Sequence, residues 1–397
     1  MTAGKVNSAR HGDNPVVNIV LAPDSFKGSL SAPEACAAME TGLRRVWPDA
    51  GVSARPMADG GEGTLDAILH AVGTRAIRAS MQVPGASGAP VEAAYGIVDE
   101  GGVPVGIVEI AQVVGITDPV AMQSDAGSRD TIGVGVLMRA LLDRGVRDLR
   151  IGLGGSSTSD GGAGLLVGLG ARLLDHAGRD VEPTPRGLAT LARIDLGGVD
   201  ARVRDARILV LSDVDNPLCG AQGAMTVFGP QKGVAAADIA AFDASLAHYA
   251  GLAERAFGRS VAGNAGAGSA GGLGFALQLL GASSASGAEV VAGVIALDVA
   301  LAGADWAITG EGRSDGQTLR HKGPFVVAQH ARRCGVPATL VSGSVDAAAL
   351  GDLGRVFTGC FGLPNGPMTL QDCVVHAAAL LADRTEQVAR VWSAVPR

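Results

Sequence analysis

Charged or hydroxyl-bearing side chains that could bind a phosphate or a metal ion occur in four short segments of the sequence, each containing glycine or proline. They are Asp24, Ser25 and Lys27 in APDSFKGS, Asp59 in MADGGEG, Asp213 and Asp215 in SDVDNP, and Glu311, Arg313 and Asp315 in TGEGRSDG. Carboxylate oxygens are the ligands that Mg²⁺ prefers, and lysine or arginine neutralises the charge of a transferring phosphoryl group. This combination favours Mg²⁺-dependent phosphoryl transfer. For any single aspartate, a role in a turn or a helix cap explains the residue equally well.

A segment rich in glycine and hydroxyl groups, GLGGSSTSDGGAG at residues 152–164, follows a predicted strand and opens a predicted helix. Free N–H groups at the start of a helix attract anions. The candidate phosphate ligands are Gly154, Gly155, Ser156 and Thr158. The alternative is a turn with a helix cap at Ser159 or Asp160.

A second glycine-rich segment, NAGAGSAGGLG at residues 264–274, could form a loop over a nucleotide. Its candidate residues are Gly266, Gly268, Gly271 and Gly272, and Lys232 in FGPQKG is a further candidate for phosphate binding. The pattern GxGxxG also occurs in dinucleotide-binding dehydrogenases, but no good strand precedes it here, and a plain connecting loop is the alternative. The sequence lacks GxxxxGK[ST], which argues against a P-loop kinase.

The elements that must position these residues follow from the apolar pattern. Short β-rich segments alternate with longer helical patterns, which is typical of parallel strands joined by helices and predicts an α/β fold. Strands are predicted at 16–22, 105–110, 148–153, 207–213, 305–310 and 338–343, with antiparallel hairpin structure in 78–104. Because ligands bind beyond the carboxyl ends of parallel strands, the charged residues after these strands are expected to lie close together.

Two helices are predicted from clear local signals. The first covers residues 32–47 and has a capping box formed by Ser31 and Glu34. The second covers residues 161–175, in which three leucines at a spacing of four, Leu165, Leu169 and Leu173, would face the core. Residues 262–274 and 281–288 are rich in glycine, alanine and serine and are predicted to be loops.

Composition excludes several classes of protein. The chain has 397 residues and a formal net charge of −7, which disfavours binding to nucleic acid. Its 5 cysteines contain no CxxC pair, so neither a disulfide framework nor a zinc knuckle is indicated, and a cytoplasmic location is expected. Asp298 and Asp305 interrupt the longest apolar segment, which argues against a membrane span. Glycine accounts for 59 of the 397 residues, which is roughly twice the share of about 7% that is usual in proteins.

Seven segments, in the same order along the chain, resemble one family, the bacterial ATP-dependent D-glycerate kinases of the glycerate 2-kinase type. They are IVLAPDSFKGSLSA, ADGGEGT, GLGGSSTSDGGAG, DVDNPLCG, FGPQKG, GAGSAGGLG and ITGEGRSDGQTLRHKGP. The resemblance implies transfer of the γ-phosphoryl group of ATP to a hydroxyl of D-glycerate with Mg²⁺, giving 2-phosphoglycerate. It also implies two α/β domains around a cleft, one with a Rossmann-like or flavodoxin-like, mostly parallel sheet. We expect that domain to comprise residues 16–80 and 286–397, the second domain residues 81–285, and a disordered extension residues 1–15.

Roles within the site are hypotheses drawn from residue type and placement. Lys27 and Arg313 would hold the substrate carboxylate or the transferring phosphoryl group, with Ser25, Asp59 and Glu311 also binding substrate. Asp24 or Asp315 would position or deprotonate the acceptor hydroxyl, and Asp213 with Asp215 would hold Mg²⁺ directly or through water. The two glycine-rich segments would cradle phosphates.

Three positions depart from the family pattern, namely Val134, Ser159 and Ser314. Loss of a hydroxyl at position 134 could reshape a polar pocket, which leaves the acceptor open. Alternatives are therefore another small hydroxy acid, a 3-phosphoglycerate product, an NAD-dependent dehydrogenase and a sugar-acid sensor without catalytic activity. The oligomeric state, monomer or homodimer, does not follow from the sequence.

Overall fold

The structure, a computed structural model, describes residues 16–320 and 322–394. The predicted extension at residues 1–15 lies outside the described residues. In chain order the strands are β1 Asn18–Leu21, β2 Gly51–Ala54, β3 Ala76–Pro84, β4 Pro90–Glu100, β5 Val103–Glu109, β6 Asp148–Gly152, β7 Arg172–Leu174, β8 Arg193–Asp195, β9 Arg207–Leu211, β10 Ser283–Ala285, β11 Trp306–Thr309, β12 Arg313–Ser314, β13 Ala338–Ser342, β14 Ser344–Val345 and β15 Gly359–Gly362.

Helices connect most of these strands. They are α1 Ala32–Arg44, α2 Thr64–Val72, α3 Ala111–Val114, α4 Pro119–Gln123, α5 Ile132–Asp143, α6 Ala163–Gly168, α7 Ala224–Phe228, α8 Ile239–Phe257, α9 Leu273–Leu279, α10 Gly287–Val294, α11 Leu297–Leu301, α12 Gly323–Arg333, α13 Leu350–Leu353, α14 Leu370–Val375 and α15 Ala377–Ser393. Within the described ranges, no helix is both long enough and apolar enough to cross a membrane.

The first sheet has five parallel strands in the order β15-β13-β11-β1-β2. Strand β2 lies on one side of β1, and the later strands of this sheet, β11, β13 and β15, lie on the other side. This is the flavodoxin-like arrangement. The topological switch point falls between β1 and β11, where Ile19 is in register with Trp306. Sheets of this kind bind ligands in the crevice at that point, beyond the carboxyl ends of the strands.

The second sheet has six strands in the order β10-β9-β6-β5-β4-β3. In this sheet β5, β6, β9 and β10 run parallel to one another. Strands β3, β4 and β5 pair antiparallel, as predicted for residues 78–104. The α/β class with a mostly parallel sheet is therefore confirmed. Strands of the first sheet come from residues 18–54 and 306–362 and those of the second from residues 76–285, apart from small two-stranded pairs. The domain limits proposed from the sequence remain a prediction, and the limit at residue 80 falls within β3 of the second sheet.

Apolar packing explains why both faces of the first sheet are covered. One face packs against α1 and α15 through Met39, Leu43 and Leu381. The other face shares a core with α2, α10 and α12, and this core also contains residues of the second sheet such as Ile107. Parallel sheets are stable when helices cover both faces. The shared core therefore joins the two sheets through the helices between them.

Helix α1 begins as predicted, because Ser31 accepts a hydrogen bond from the Glu34 N–H and the Glu34 carboxylate accepts one from the Ser31 N–H at 2.8 Å. The predicted helix at 161–175 is wrong beyond Gly168. There the chain turns at Gly170, where φ is +111° and a Cβ would lie 2.1 Å from the Gly198 oxygen, and continues into β7. Leu173 is therefore buried on a strand.

The predicted loop at 281–288 is also partly wrong. Residues Ser283–Ala285 form β10, which pairs in parallel with β9 at the edge of the second sheet. This strand consists of two serines and an alanine, so it carries no apolar pattern that a sequence could reveal.

Candidate active site

A cavity of about 700 Å³ opens at the switch point of the first sheet. We call it cavity A. Its polar side is formed by residues that follow β1 and β11, together with Asp59, namely Asp24, Ser25, Lys27, Asp59, Glu311, Arg313, Asp315 and Lys322. The structure thus brings all of the predicted catalytic and substrate-binding residues together around one space. Its size lies within the ordinary range for ligand pockets, about 300–1,000 Å³.

Asp24 is the buried carboxylate of cavity A and is only 8% exposed. Burial raises its pKa well above the ordinary value, and the negative charges of Asp59 and Glu311 add to this, while a hydrogen bond from the Ser25 N–H opposes it. The helix α12 begins beside it, so that a Cβ built on Gly323 would lie 3.1 Å from Asp24 Oδ2. A carboxyl group with a raised pKa is suited to accept a proton near neutral pH.

Glu311 is held in place by a network of hydroxyl groups. Ser314 Oγ donates to its Oε1 at 3.0 Å and Thr318 Oγ1 donates to the same oxygen at 2.7 Å, while Lys322 Nζ lies 3.8 Å from Oε2. The Ser314 hydroxyl also contacts Ser342 Oγ at 2.8 Å. Burial raises the pKa of Glu311, and these hydrogen bonds and the ammonium group lower it in part. Ser314, which departs from the family pattern, therefore orients a carboxylate of the site.

The cations of cavity A lie near its mouth. Lys27 is exposed, and Arg313 is 68% exposed, with its Nη2 3.3 Å from Asp346 Oδ2 and its Nε 3.8 Å from Asp315 Oδ2. Asp315 also accepts a hydrogen bond from the Gln317 N–H, which is the turn role that the sequence left open. Exposed cations can reorient toward an anionic ligand at little cost, because weak surface ion pairs hold them.

Two further polar groups complete this side of the cavity. Ser25 Oγ is buried and makes no hydrogen bond with any residue that the structure describes. Asp59 accepts a hydrogen bond from the Gly61 N–H at 3.1 Å, so one of its oxygens fixes the turn. An unpaired buried hydroxyl is costly unless a ligand satisfies it, which is consistent with substrate binding at Ser25.

Asp213 and Asp215 lie outside cavity A. They are exposed and line a smaller cavity of about 250 Å³ with Gly266 and Ser286, which we call cavity B. The backbone oxygen of Asp59 lies 2.3 Å from a Cβ built on Gly287, so the turn at Asp59 stands close to both cavities. Within residues 16–320 and 322–394, no three His, Cys, Asp or Glu side chains form a group that could hold a metal ion. A metal bound by Asp213 and Asp215 would therefore need further ligands from water or phosphate.

The segment 152–164 packs more tightly than a phosphate loop requires. Its Gly154 N–H donates to the Gly60 oxygen at 3.1 Å, and a Cβ on Gly154 would lie 2.3 Å from the Cα of Gly61. Only Gly154 and Gly155 reach the surface, while residues 156–160 are buried. Glycine at position 154 is needed because two backbone turns, one from each sheet, touch there.

The end of this segment holds the start of α6, whose N-cap residue is Gly162 and not Ser159 or Asp160 as the alternative interpretation expected. Asp160 is fully buried and accepts hydrogen bonds from the N–H groups of Gly162 and Gly164 and from the hydroxyl of Thr131. Burial raises its pKa, and these hydrogen bonds partly oppose that effect. Asp160 therefore fixes the start of α6.

Lys232 lies inside the protein. Its ammonium group donates to Ser156 Oγ at 2.8 Å and to the Thr158 oxygen at 2.6 Å, and burial lowers its pKa to about 7. The hydroxyls of Thr158 and Ser159 are also buried and form no hydrogen bond within the described part of the chain. Lys232, Ser156 and Thr158 therefore support the loop from within, and none of them lines cavity A or cavity B.

The second glycine-rich segment also serves close packing. A Cβ would lie 2.3 Å from the Pro217 oxygen at Gly268, 2.0 Å from the Thr158 oxygen at Gly271, and 2.5 Å from the Cα of Gly161 at Gly272. Gly266 alone among the predicted glycines of this segment lines cavity B. The segment thus packs between the loop at 158–161 and the loop at 213–217.

Two outcomes were not predicted from the sequence. Val134 is fully buried in the apolar core of the second sheet, so the expectation of an altered polar pocket at this position is wrong. The far side of cavity A is apolar and is formed by residues between 363 and 377, where the sequence analysis placed no site residue. Its signal was the apolar spacing at Leu370, Val374 and Ala377, which resembles the core face of a helix.

Comparisons with known proteins agree with these features. A sequence model described as the glycerate kinase family matches residues 19–393. A glycerate kinase of Bacillus subtilis is 39% identical over 374 residues, which is 94% of this chain and 97% of the relative. The glycerate 2-kinase of Escherichia coli is 40% identical over 330 residues, 83% of this chain and 86% of the relative.

A solved structure is similar along nearly the whole chain. The crystal structure of a protein described as glycerate kinase 2 from Salmonella typhimurium LT2 superposes with a TM-score of 0.81 at 40% identity, covering 96% of this chain and 99% of that one. The flavodoxin-like sheet, the charged cavity at its switch point and these similarities lead to one assignment. The chain belongs to the glycerate kinase family.

Proposed function

We propose that the protein transfers the γ-phosphoryl group of ATP to a hydroxyl of D-glycerate, giving 2-phosphoglycerate and ADP. Family membership supports a kinase, and the relative from Escherichia coli named glycerate 2-kinase supports the position of transfer. The observation that carries the proposal is cavity A, which places the buried Asp24 next to the exposed cations Lys27 and Arg313 at the switch point. These are the groups that phosphoryl transfer to an alcohol needs.

Asp24 is the proposed base. The hydroxyl oxygen of glycerate attacks the γ-phosphorus, the bond to the bridging oxygen breaks, and ADP leaves with that electron pair. The hydroxyl proton passes to the Asp24 carboxylate. Its raised pKa makes it a stronger proton acceptor than an ordinary aspartate, and Ser25 N–H together with the start of α12 holds its orientation.

Lys27 and Arg313 are proposed to bind the glycerate carboxylate and the transferring phosphoryl group. Both are exposed at the mouth of cavity A, and a guanidinium group can donate two parallel hydrogen bonds to a carboxylate or a phosphate. Ser25 Oγ, which lacks a partner, would donate or accept one hydrogen bond with the substrate. Asp59, Glu311 and Asp315 would then orient the substrate hydroxyls and the cations.

Mg²⁺ is proposed to be held by Asp213 and Asp215. Mg²⁺ usually binds one or two carboxylates and fills its other positions with water and substrate phosphate. Two exposed carboxylates, with no third His, Cys, Asp or Glu completing a group among the described residues, fit that mode. When bound, the ion neutralises and orients the phosphate oxygens. Gly154 and Gly155, which reach the surface beside the turn at Asp59, and Gly266, which lines cavity B, are the parts of the predicted phosphate cradle that a ligand can touch.

A direct test couples ADP release to addition of D-glycerate and compares Asp24→Asn, Lys27→Ala and Asp315→Asn with the parent protein. We expect kcat to fall at least ~100-fold for Asp24→Asn, the lower bound for loss of a general base, and the KM of glycerate to rise for Lys27→Ala. Asp352→Asn and Arg355→Ala, which change an exposed ion pair away from cavity A, are matched controls. Full activity of both Asp24→Asn and Lys27→Ala would exclude this site.

The acceptor and the product need a separate measurement. A panel of small hydroxy acids with ATP, followed by NMR identification of the phosphorylated carbon, distinguishes D-glycerate from other acceptors and 2-phosphoglycerate from 3-phosphoglycerate. Fluorescence titration with NADH tests the dehydrogenase alternative. Binding of NADH without turnover of ATP would contradict the proposal. A Mg²⁺ titration of Asp213→Asn/Asp215→Asn tests the metal ligands, and an unchanged Mg²⁺ requirement would remove them.

A further inference from the structure

We infer that the apolar side of cavity A binds the adenine base of ATP. We call this side the apolar wall and define it as Leu363, Met368, Leu370, Cys373, Val374 and Ala377. The inference rests on the proposed kinase function, because it assigns this surface to the substrate ATP. The charged residues of cavity A lie on its other side.

The cavity is larger than its charged side requires. Glycerate is a three-carbon acid and would fill only a small part of about 700 Å³. The remaining space is bounded by aliphatic and thiol side chains, which cannot pair with phosphate or carboxylate. A second ligand with a flat, weakly polar part fits this division, with its charged end at Lys27 and Arg313.

The wall follows the order of strands in the first sheet. Leu363 follows β15, Ser344 follows β13, Arg313 follows β11 and Asp24 follows β1, and all four residues line the same cavity. Neighbouring strands are about 4.8 Å apart, so the three spacings from β15 to β1 amount to ~14 Å. An extended nucleoside triphosphate has a comparable length. Its base would then lie at the end of β15 and its γ-phosphate near Asp24.

The short helix α14 supplies the outer part of the wall. Leu370, Cys373 and Val374 are spaced as i, i+3 and i+4, so they share one face of α14, and Ala377 follows as the first residue of α15; all four border the cavity. None of the residues of α14 is buried, and Leu370 is 81% exposed. An exposed apolar stripe beside a polar cleft marks a binding surface, because water contact with it is unfavourable.

Aliphatic contact also agrees with the composition of the chain. Aromatic residues make up only 3% of the sequence, and Phe26, the aromatic side chain that lines cavity A, is only 2% exposed. A base at the apolar wall would therefore pack between aliphatic groups instead of stacking on a ring. Leu370 and Val374 would cover one face of the base, while Leu363, which is as buried as Phe26 at 2% exposed, would only close the cavity behind it.

Cys373 provides a reporter of occupancy that does not need catalysis. Full-length protein is treated with iodoacetamide, and the rates of alkylation of Cys373 and Cys334 are compared by peptide mass spectrometry. Cys334 is exposed at the end of α12 and does not line the cavity, so it is the internal control. We expect saturating ATP or AMP to slow alkylation of Cys373 at least fivefold without affecting Cys334, and D-glycerate alone to change neither rate.

Kinetic variants provide the second readout. Leu370→Ser removes an exposed apolar side chain from the wall, and Val375→Ser removes one from the same helix at a position, 63% exposed, that does not line the cavity. We expect the KM of ATP to rise about tenfold for Leu370→Ser, with the KM of glycerate and kcat within twofold, and Val375→Ser to leave all three unchanged. Equal effects of the two variants would overturn the inference.

The two proposals can fail separately. Protection of Cys373 by ATP in a protein that does not phosphorylate D-glycerate would retain the adenine site and overturn the proposed acceptor. Phosphorylation of D-glycerate without protection by ATP or AMP would overturn the adenine site alone. Protection by hydroxy acids, together with a higher KM of the acid for Leu370→Ser, would assign the wall to an acceptor with an apolar tail and also overturn the inference.

Discussion

Asp24 and Gly323 face each other at the carboxyl end of the first sheet, where a Cβ built on the glycine would lie 3.1 Å from the carboxylate oxygen Oδ2. Gly323 is the first residue of α12, so the amino-terminal end of that helix lies beside a buried carboxyl group. The positive end of a helix stabilises an anion, which partly offsets the cost of burying Asp24. A side chain at position 323 would disturb this arrangement.

We predict that Gly323→Ala lowers kcat by about tenfold or more without destabilising the protein. The added methyl group displaces the carboxylate by a few tenths of an ångström, whereas the backbone of residue 323 has no positive φ that alanine would resist. Gly293→Ala in α10 is the control, because a Cβ there meets no atom within 4 Å. Steady-state kinetics and thermal unfolding are measured on both. A Gly323→Ala enzyme with the kcat of Gly293→Ala would contradict the prediction.

Activity and stability are predicted to change in opposite directions for Asp24→Asn. The pKa of Asp24 is raised in the folded protein, so ionisation of Asp24 costs folding free energy, and this cost appears as the pH rises through the folded-state pKa. Asparagine removes that cost and also the base. We expect a higher Tm at pH 8 and a kcat at least ~100-fold lower. In the parent enzyme, kcat should fall as the pH drops below this raised pKa; a flat acid limb would exclude Asp24 as the base.

Glu109 links the two sheets and should make stability depend on pH. Its carboxylate, at the end of β5, accepts hydrogen bonds from the N–H groups of Gly63 and Leu65 at 3.2 Å, at the start of α2, and burial raises its pKa to about 7. Because the folded-state pKa exceeds the unfolded one, the contribution is fully present below about pH 4.5 and is lost as the pH rises through 7.

The unfolding free energy of the parent protein should therefore fall between pH 4.5 and 8, and Glu109→Gln should make that fall smaller by up to ~3 kcal/mol. Urea unfolding of both proteins at several pH values measures this difference. Burial also raises the pKa of Asp130 to about 7, so the pH dependence of the parent protein's stability contains contributions from both groups. The difference between the parent and Glu109→Gln isolates the contribution of Glu109. Parallel stability curves for the two proteins would show that Glu109 does not titrate as expected.

Lys232→Met distinguishes a supporting residue from a phosphate ligand. Burial lowers the pKa of Lys232 to about 7, so the unfolded chain binds the extra proton and the stability of the parent protein should rise between pH 7 and about 10.5. Methionine removes this rise, which amounts to several kcal/mol at most. The KM of ATP should stay within twofold. A tenfold higher KM with an unchanged pH–stability curve would instead assign Lys232 to phosphate binding.

The sequence was sufficient to predict the polar side of cavity A. Asp24 and Glu311 each follow a predicted strand, and parallel strands bring such positions together at the switch point. The capping box at Ser31 was also predictable, because its signal is local. These successes depend on rules that need only the order and type of neighbouring residues.

Other features depend on contacts between distant segments. Gly154 and Gly271 look like phosphate-loop glycines, yet each is required where another backbone, at Gly61 or at Thr158, comes within contact distance. Burial of Lys232 could not be predicted, since it depends on the fold around residues 156–158. The pattern of Leu370 and Val374 indicates a buried face, but in the structure this face borders a cavity.

The first sheet is built from both ends of the chain, and this has a consequence for synthesis. Strand β1 lies between β2 and β11, but roughly 250 residues separate Ala54 from Trp306. At about 5–20 residues per second, the ribosome needs on the order of 10–50 s to deliver the missing neighbour. During that time the strands of the second sheet, which come from one continuous part of the chain, can pair. Strand β1 still has one edge without a hydrogen-bonded neighbour. A nascent chain stalled before residue 306 should therefore be the form that chaperones retain and that aggregates most readily.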